Sequence, residues 1–378
     1  MNKQRRRLLQ AGALGAAAAT SGIPAQALAQ ATGSDRPPRP RKGPALRFLV
    51  LGGTGFIGPH MVREALRRGH TVELFNRGRT NDELFPDLAT YIGDRDGGLD
   101  ALKGGRWDVV IDNSGYVPRH VADSARLLAP LAEHYVFISS ISAYADFGQP
   151  LGEDAPLGEL ADESVEEVTN ETYGPLKALC ERRAAEEFGE NRLAVLRPTY
   201  ICGPGDRTDR YTYWPVRTAR GGEMLWPGTP DDVIQIIDVR DLANFVIDVG
   251  EKRITGAYNT VVPPGSFTMG QLLEDALAVT AADTTPVWVP HAFLEAEGAT
   301  EGGQLPIWVP PTPDLAWVAR ASGERAFAAG LTVRPTRETA RDTLSWWNTL
   351  PAERRDSLRA GLSAETEAAL LAAWKARA

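Results

Sequence analysis

Cysteine is almost missing from this chain. Cys180 and Cys202 are its only two, too few for a disulfide framework or a paired CxxC metal site. Both read as small buried fillers. No apolar run of about 18 residues occurs, the length a membrane-spanning helix needs. The nearest is Ala11–Thr20, a weakly apolar Ala/Gly stretch, so stable membrane insertion is not expected. Positive charge is in deficit, 41 Lys and Arg against 49 Asp and Glu, for a formal charge of −8. That balance argues against a partner coated in phosphates, such as a nucleic acid. The five histidines, His60, His70, His120, His134 and His291, show no ligand spacing, and no metal site is expected. What remains is ordinary globular material: 378 residues, 43% hydrophobic and 24% charged, enough for one large α/β domain or two smaller ones.

The N-terminus reads as an address. Met1–Gln10 carries Lys3, Arg5, Arg6 and Arg7 and no acid; Ala11–Ala19 is small and apolar; Ala27-Leu28-Ala29 offers a small-x-small cleavage pattern. Arg5-Arg6-Arg7-Leu8-Leu9 resembles a twin-arginine export signal, which implies the twin-arginine translocation machinery as a partner and a periplasmic or extracellular location after cleavage near Ala29. Removing residues 1–29 moves the formal charge from −8 to −12. Residues 30–44, rich in proline and arginine, read as a flexible linker.

From Ala45 the pattern becomes that of a dinucleotide fold. Leu46–Leu51 is a short apolar run, as a buried parallel strand requires. It feeds into Gly52-Gly53-Thr54-Gly55-Phe56-Ile57-Gly58 and then an apolar-periodic helix through Met61, Val62, Ala65 and Leu66. Side chains in such a turn would bar the backbone from a pyrophosphate, and the helix N-terminus supplies NH groups and positive dipole. Thr71–Asn76 reads as strand two. Asn76-Arg77, with Arg79 close behind, stands where NAD binders usually carry an acid, so NADP is favoured over NAD. Strands over Ala89–Ile92, Trp107–Asp112, Tyr135–Ser139 and Leu193–Arg197, with a helix over Arg119–Ala132, continue the alternation. The fold class is therefore α/β, a doubly wound parallel sheet (Rossmann) with a smaller C-terminal substrate lobe.

Tyr173 and Lys177 lie four residues apart, on one face of a helix that Thr172 can cap and Pro175 can enter in its first turn. An ammonium near a phenol favours the phenolate, which makes Tyr173 a candidate general acid/base. Upstream, Ser139-Ser140-Ile141-Ser142-Ala143-Tyr144 ends a strand, where doubly wound folds bind ligands. Ser140 is the candidate hydroxyl for the reacting oxygen; Ser139 and Ser142 read as rivals with structural roles.

With these residues in place, the chain resembles an extended short-chain dehydrogenase/reductase, the NAD-dependent epimerase/dehydratase branch, over about residues 45–350. GGTGFIG, SSISAY, YGPLK, Arg197-Pro198 with Gly203-Pro204-Gly205, and Ile237-Asp238-Val239-Arg240-Asp241-Leu242-Ala243 fall in the family's order. The resemblance implies a catalytic set of Ser140, Tyr173 and Lys177. It implies cofactor contacts at Gly52, Thr54, Gly55, Phe56, Ile57, Gly58, Asn76, Arg77, Arg95 and Asn113. Asp94 would meet the adenine, Pro198 the nicotinamide, and Lys177 its ribose. Departures narrow the chemistry: Ser140-Ile141-Ser142 replaces the Thr-Asp-Glu of dehydratases, so dehydration is disfavoured. Asp112-Asn113-Ser114-Gly115 replaces His-x-Ala-Ala, and Thr199-Tyr200-Ile201 stands where many sugar epimerases carry asparagine.

The expected organisation is a dinucleotide domain of residues 45–202 plus 233–262, a substrate lobe of 203–232 plus 263–350, and C-terminal helices in 351–378. The lobe is rich in tryptophan: Trp214, Trp226, Trp288, Trp308, Trp317, Trp346 and Trp347. Aromatic faces suit a carbohydrate, although any single tryptophan is better read as core. Substrate contacts are expected at Ser142, Tyr200, Tyr211, Trp214, Arg217 and Gln235. Helices are expected at Ala352–Arg359 and Ala364–Ala376, the second capped by Ser363. The functional expectation is an exported NAD(P)-dependent epimerase or oxidoreductase that keeps its cofactor and acts on a sugar-like hydroxyl. Alternatives are a cytoplasmic nucleotide-sugar epimerase or carbonyl reductase, and a non-catalytic dinucleotide- or RNA-binding relative. A homodimer is left open.

Overall fold

The computed structural model describes residues 43–300 and 303–377. The segment read as an export signal, and the linker up to residue 42, lie outside the described residues.

The chain begins β1 (Arg47–Leu51), α1 (Gly58–Arg67), β2 (Thr71–Asn76), β3 (Thr90–Ile92), β4 (Trp107–Asp112), α2 (Pro118–Leu128), β5 (Ala132–Ile138), α3 (Tyr173–Phe188) and β6 (Leu193–Pro198). After β7 (Tyr200–Cys202), α4 (Tyr213–Thr218), β8 (Gly222–Pro227), β9 (Ile236–Asp238) and α5 (Val239–Lys252), the chain returns to the main sheet as β10 (Gly256–Thr260). Seven strands form that sheet in the order β10-β6-β5-β4-β1-β2-β3, and every pairing in it is parallel. Strand order reverses at β1, between β2 and β4, so a crevice opens at the carboxyl ends of β1 and β4.

Alternation along β1 shows why this run is a two-sided strand. Phe48 and Val50 pack with Met61, Val62 and Ala65 of α1 and with Leu242, Phe245 and Val246 of α5. Leu49 and Leu51 point the other way, to Val121 and Ala125 of α2 and Cys180 and Ala184 of α3. Several details differ from the sequence reading, among them β5, which runs Ala132–Ile138 where Tyr135–Ser139 was expected. The helix expected to reach Ala132 stops at Leu128, because Pro130 cannot continue it and Ala132 already begins β5. Thr172 does not cap α3; its hydroxyl donates to Glu167 O (2.5 Å) and accepts from Thr169 N (2.8 Å).

The lobe contains α6 (Met269–Ala278), β11 (Thr284–Val289), α7 (His291–Ala296), α8 (Glu324–Ala329), α9 (Thr336–Asn348), α10 (Ala352–Arg355) and α11 (Ala364–Lys375). β8 pairs with β11 and β7 with β9, both parallel. Tyr211, Trp214, Trp226, Leu272, Leu370 and Leu371 share one core, so α11 is an integral part of the lobe. Trp214 and Trp226 stack at 4.6 Å between ring centroids, and Trp226 lies 5.9 Å from Trp288. Ser363 caps α11, accepting from Thr366 N at 3.0 Å. α10 ends at Arg355, four residues short of expectation, because the chain turns away to bring the backbone NH of Arg359 onto Asp209. Among the described residues, no helix is long and apolar enough to cross a membrane.

Candidate active site

A cavity of about 860 Å³ follows the crevice from the glycine turn to the substrate lobe. Its wall includes Gly52, Thr54, Gly55, Phe56 and Ile57, then Asn76, Arg77 and Arg79, Asp94 and Asn113, and on to Ser140, Ser142, Tyr173, Lys177, Pro198 and Tyr200. Most of the residues expected to bind cofactor therefore share one space. Gly58 acts from behind: a Cβ there would lie 2.5 Å from Gly52 O, so its bare backbone lets α1 start tight against the turn.

The wall fits a dinucleotide. Gly52 sits at φ +89°, in the left-handed region, and a Cβ on Gly55 would meet nothing within 4 Å. Ile57 occupies the N-cap of α1 with no side-chain cap; Pro59 has no NH and the His60 NH donates to Ile57 O (3.1 Å), so the Gly58 NH and the positive end of the helix dipole face an incoming anion. Asn113 donates to Gly52 O (3.3 Å), while its Oδ1 is buried without a partner. Asn76 Oδ1 accepts from Gly78 N (2.8 Å), and Arg77 and Arg79 are exposed.

Ser140, Tyr173 and Lys177 converge. Ser140 lies two residues beyond β5 in extended geometry, its Oγ accepting from Ser142 N (3.1 Å), and it is near enough to the Tyr173 phenol to lower its pKa. Gly174 makes that approach possible: a Cβ there would stand 2.1 Å from Ser142 O. Lys177 is buried; Nζ donates to Ile138 O (2.6 Å) and Gly115 O (2.7 Å) and lies 4.3 Å from the Phe137 ring centroid. Burial lowers the Lys177 pKa and raises that of Tyr173. Ser140 and the Arg210 guanidinium act against the rise at Tyr173. Arg210, which the sequence reading missed, is thus a cation that favours the phenolate from the same cavity wall. Its guanidinium carbon lies 5.1 Å from the Tyr200 ring centroid.

Several other assignments are corrected. Arg95 reaches the cavity wall, but its guanidinium is consumed by a buried bidentate ion pair with Asp112 (2.6 and 2.7 Å) and by donation to Ser124 Oγ (2.6 Å). Tyr211 and Trp214 are fully buried core residues, and Trp214 Nε1 donates to Pro306 O (2.9 Å). Arg217 is taken by Glu367 (2.6 Å). Gln235 staples Val262 O and Ala321 O (2.7 and 2.9 Å). None of these four lines the cavity, and neither does any tryptophan; Ser142 and Tyr200 do line it. Ser139 donates to Glu181, and Glu181 pairs with Arg197 (2.6 Å), which fixes the serine segment to α3 and β6. Cys180 and Cys202 are buried, and burial pushes both thiols up. Asp206, Arg207, Thr208, Arg210, Arg359 and Gly361 line the cavity without having been expected there. The charged run after Gly203-Pro204-Gly205 was the signal that could have found the first four.

Comparison with known proteins agrees with this architecture. The chain is 28% identical over 219 residues to the chloroplast stem-loop binding protein of 41 kDa b of Arabidopsis thaliana, covering 54% of each chain. It is 31% identical over 165 residues to a UDP-glucose 4-epimerase of Neisseria meningitidis serogroup A, covering 36% of this chain and 46% of that one. The chain thus matches about half the length of these curated relatives. The solved structure of the Bordetella bronchiseptica enzyme WbmG in complex with NAD superposes with a TM-score of 0.57 at 18% identity, covering 81% of this chain and 95% of that one, a likeness of fold. A family model matches residues 48–261, from β1 through β10, and so takes in the glycine turn, the serine segment and the Tyr173–Lys177 helix. The chain belongs to the NAD dependent epimerase/dehydratase family.

Proposed function

We propose that the chain is an NAD(P)-dependent epimerase or oxidoreductase that moves hydride between a tightly held nicotinamide and a hydroxyl carbon of a sugar-like substrate. The placement of Ser140, Tyr173 and Lys177 on the same cavity that the glycine turn lines carries this reading. The turn Gly52–Gly58 and the open N-terminus of α1 would hold the diphosphate, Asn76 and Arg77 the adenosine ribose, and Asp94 the adenine. Asn113, Lys177 and Pro198 would hold the nicotinamide end. A bound nicotinamide supplies the acceptor and donor of hydride. Tyr173 Oη takes the carbinol proton and returns it, and Ser140 Oγ orients the reacting oxygen. Lys177 Nζ, bonded to Ile138 O and Gly115 O, fixes the Tyr173 helix against the end of β5. Ser140-Ile141-Ser142 offers no carboxylate, which disfavours loss of water. Arg77 and Arg79, with no acid at the end of β2, favour NADP. The similarity to a UDP-glucose 4-epimerase supports a carbohydrate substrate. Tyr173→Phe is expected to lower kcat across a panel of sugars and alcohols by about 10²–10⁴-fold, with dinucleotide affinity retained. Undiminished turnover in that variant would remove the catalytic role and favour the binding-only reading that the likeness to a stem-loop binding protein suggests.

The basic N-terminal segment supports export by a twin-arginine route. An exported enzyme has no cofactor pool outside, so it must return its nicotinamide to the starting redox state in each cycle. Epimerisation does this, as does a balanced exchange between two sugars. Replacing Arg5 and Arg6 by lysine should leave the chain in the cytoplasmic fraction of its host. Equal export of the variant would return the reading to a cytoplasmic epimerase or carbonyl reductase.

A further inference from the structure

The turn that leaves β7 lies directly over the start of α1. His60 Nε2 and Pro204 O are 3.0 Å apart, which docks Gly203–Arg207 on the first turn of that helix. Arg207 lines the cavity, and its Nε and Nη2 are buried with no hydrogen-bond partner. Its surroundings aggravate this: burial and the nearby Arg359 guanidinium both disfavour its charge, and Glu83 is the acid that offsets them. Asp206, the adjacent acid, has Arg210 as its main cationic neighbour.

Arg359 comes from the C-terminal tail, and its place is built. Its Nη1 donates to Arg207 O (3.0 Å) and its backbone NH to Asp209 Oδ2 (2.8 Å). Asp209 is fully buried and also accepts twice from Arg354 Nη2 (2.6 and 2.7 Å). Two guanidinium groups from distant parts of the chain are thus fixed in one wall, close enough to repel. The buried, unpartnered Nε and Nη2 of Arg207 are costly, and a doubly charged anion resting between Arg207, the neighbouring Arg359 and the helix N-terminus removes that cost.

We propose that Arg207 and Arg359 form the second half of the cofactor's diphosphate site, a clasp that closes on it from the substrate lobe and slows cofactor release. The inference rests on the cofactor-binding reading above and deepens it: the glycine turn holds one side of the diphosphate, and the C-terminal tail holds the other. The docking of the turn on α1 favours the cofactor over a phosphate or carboxylate of the substrate as the source of the anion.

The test uses the full chain with NADH and NADPH, following nicotinamide fluorescence as the bound dinucleotide is displaced by excess oxidised cofactor. Arg207→Gln and Arg359→Gln should each speed release by roughly ten- to a hundredfold, and Arg207→Lys, which keeps the charge, by less. Affinity for adenosine, which lacks phosphate, should stay the same. Unchanged release in the glutamine variants overturns the clasp, and so does a matching loss of adenosine affinity, which marks a structural role. A rise in substrate KM with unchanged release assigns the anion to the substrate and overturns it too. If Arg207→Gln does not fold, Arg359→Gln and Arg207→Lys carry the test. A wild-type chain that binds neither dinucleotide overturns the functional reading itself, whereas tight binding with unaltered release overturns the clasp alone.

Discussion

Tyr173 and Lys177 share a helix face, yet their polar ends have different company. The lysine ammonium is committed to Ile138 O and Gly115 O, under the rings of Phe137 and Tyr116. The phenol answers instead to Ser140 and Arg210. The consequence is a pH dependence whose direction follows from charge. Alcohol oxidation needs the phenolate, so its rate rises as pH climbs through the Tyr173 pKa. Burial raises that pKa and Arg210 lowers it, so Arg210→Gln should move the rise to higher pH. The pH profile of kcat/KM in the oxidising direction measures this; an unshifted profile would show that Arg210 does not act on the phenol. The spacing of Tyr173 and Lys177 placed both on one face because helix geometry is local. It could not reveal where a four-carbon stem delivers its charge, nor that an arginine from another element would stand nearby.

Elements were legible where burial imposes a period. β2 and β4 have the boundaries read from sequence, and β1 and β6 differ by one residue at one end, because a strand covered on both faces must be continuously apolar. The glycines were legible for a related reason: Gly52 needs positive φ and Gly58 close packing, and few other residues serve there. Gly174 has a role that only the fold exposes, since its clash partner, Ser142 O, belongs to a distant segment. Arg95 is the opposite case. Read as a cofactor contact from the family resemblance, it is instead the counter-charge of Asp112, whose Oδ2 accepts from both Arg95 Nη2 and Tyr135 Oη (2.7 Å each). The substrate lobe resisted reading because the same aromatic residues that would stack on a sugar also fill a core. Trp214 and Trp226 take the second role, and the cavity receives Phe56, Phe75, Tyr116, Phe147 and Tyr200, beside Tyr173, as its aromatic surfaces.

At the scale of the whole molecule, the C-terminal tail ties the lobe to the cofactor crevice. α11 contributes Leu370 and Leu371 to the lobe core, and Glu367, itself buried, accepts from Arg217 Nε (2.6 Å) and Leu225 N (3.0 Å). A few residues earlier, Arg359, Ala360 and Gly361 form cavity wall, with Gly361 packed so closely on the Tyr213 ring that a Cβ would meet it at 1.9 Å. One anchor therefore supports both the lobe and the wall. Glu367→Ala strips Arg217 and the Leu225 NH of a buried acceptor, at a cost of about 1–3 kcal/mol in urea unfolding. Because Glu367 does not line the cavity, a purely local loss would leave dinucleotide affinity alone. With the tail bearing the wall, affinity should fall along with stability, while Tyr173 and Ser140 stay in place and saturating cofactor restores kcat. A destabilised variant with wild-type affinity would mean that Asp209 and Arg354 hold residues 359–361 without help from α11.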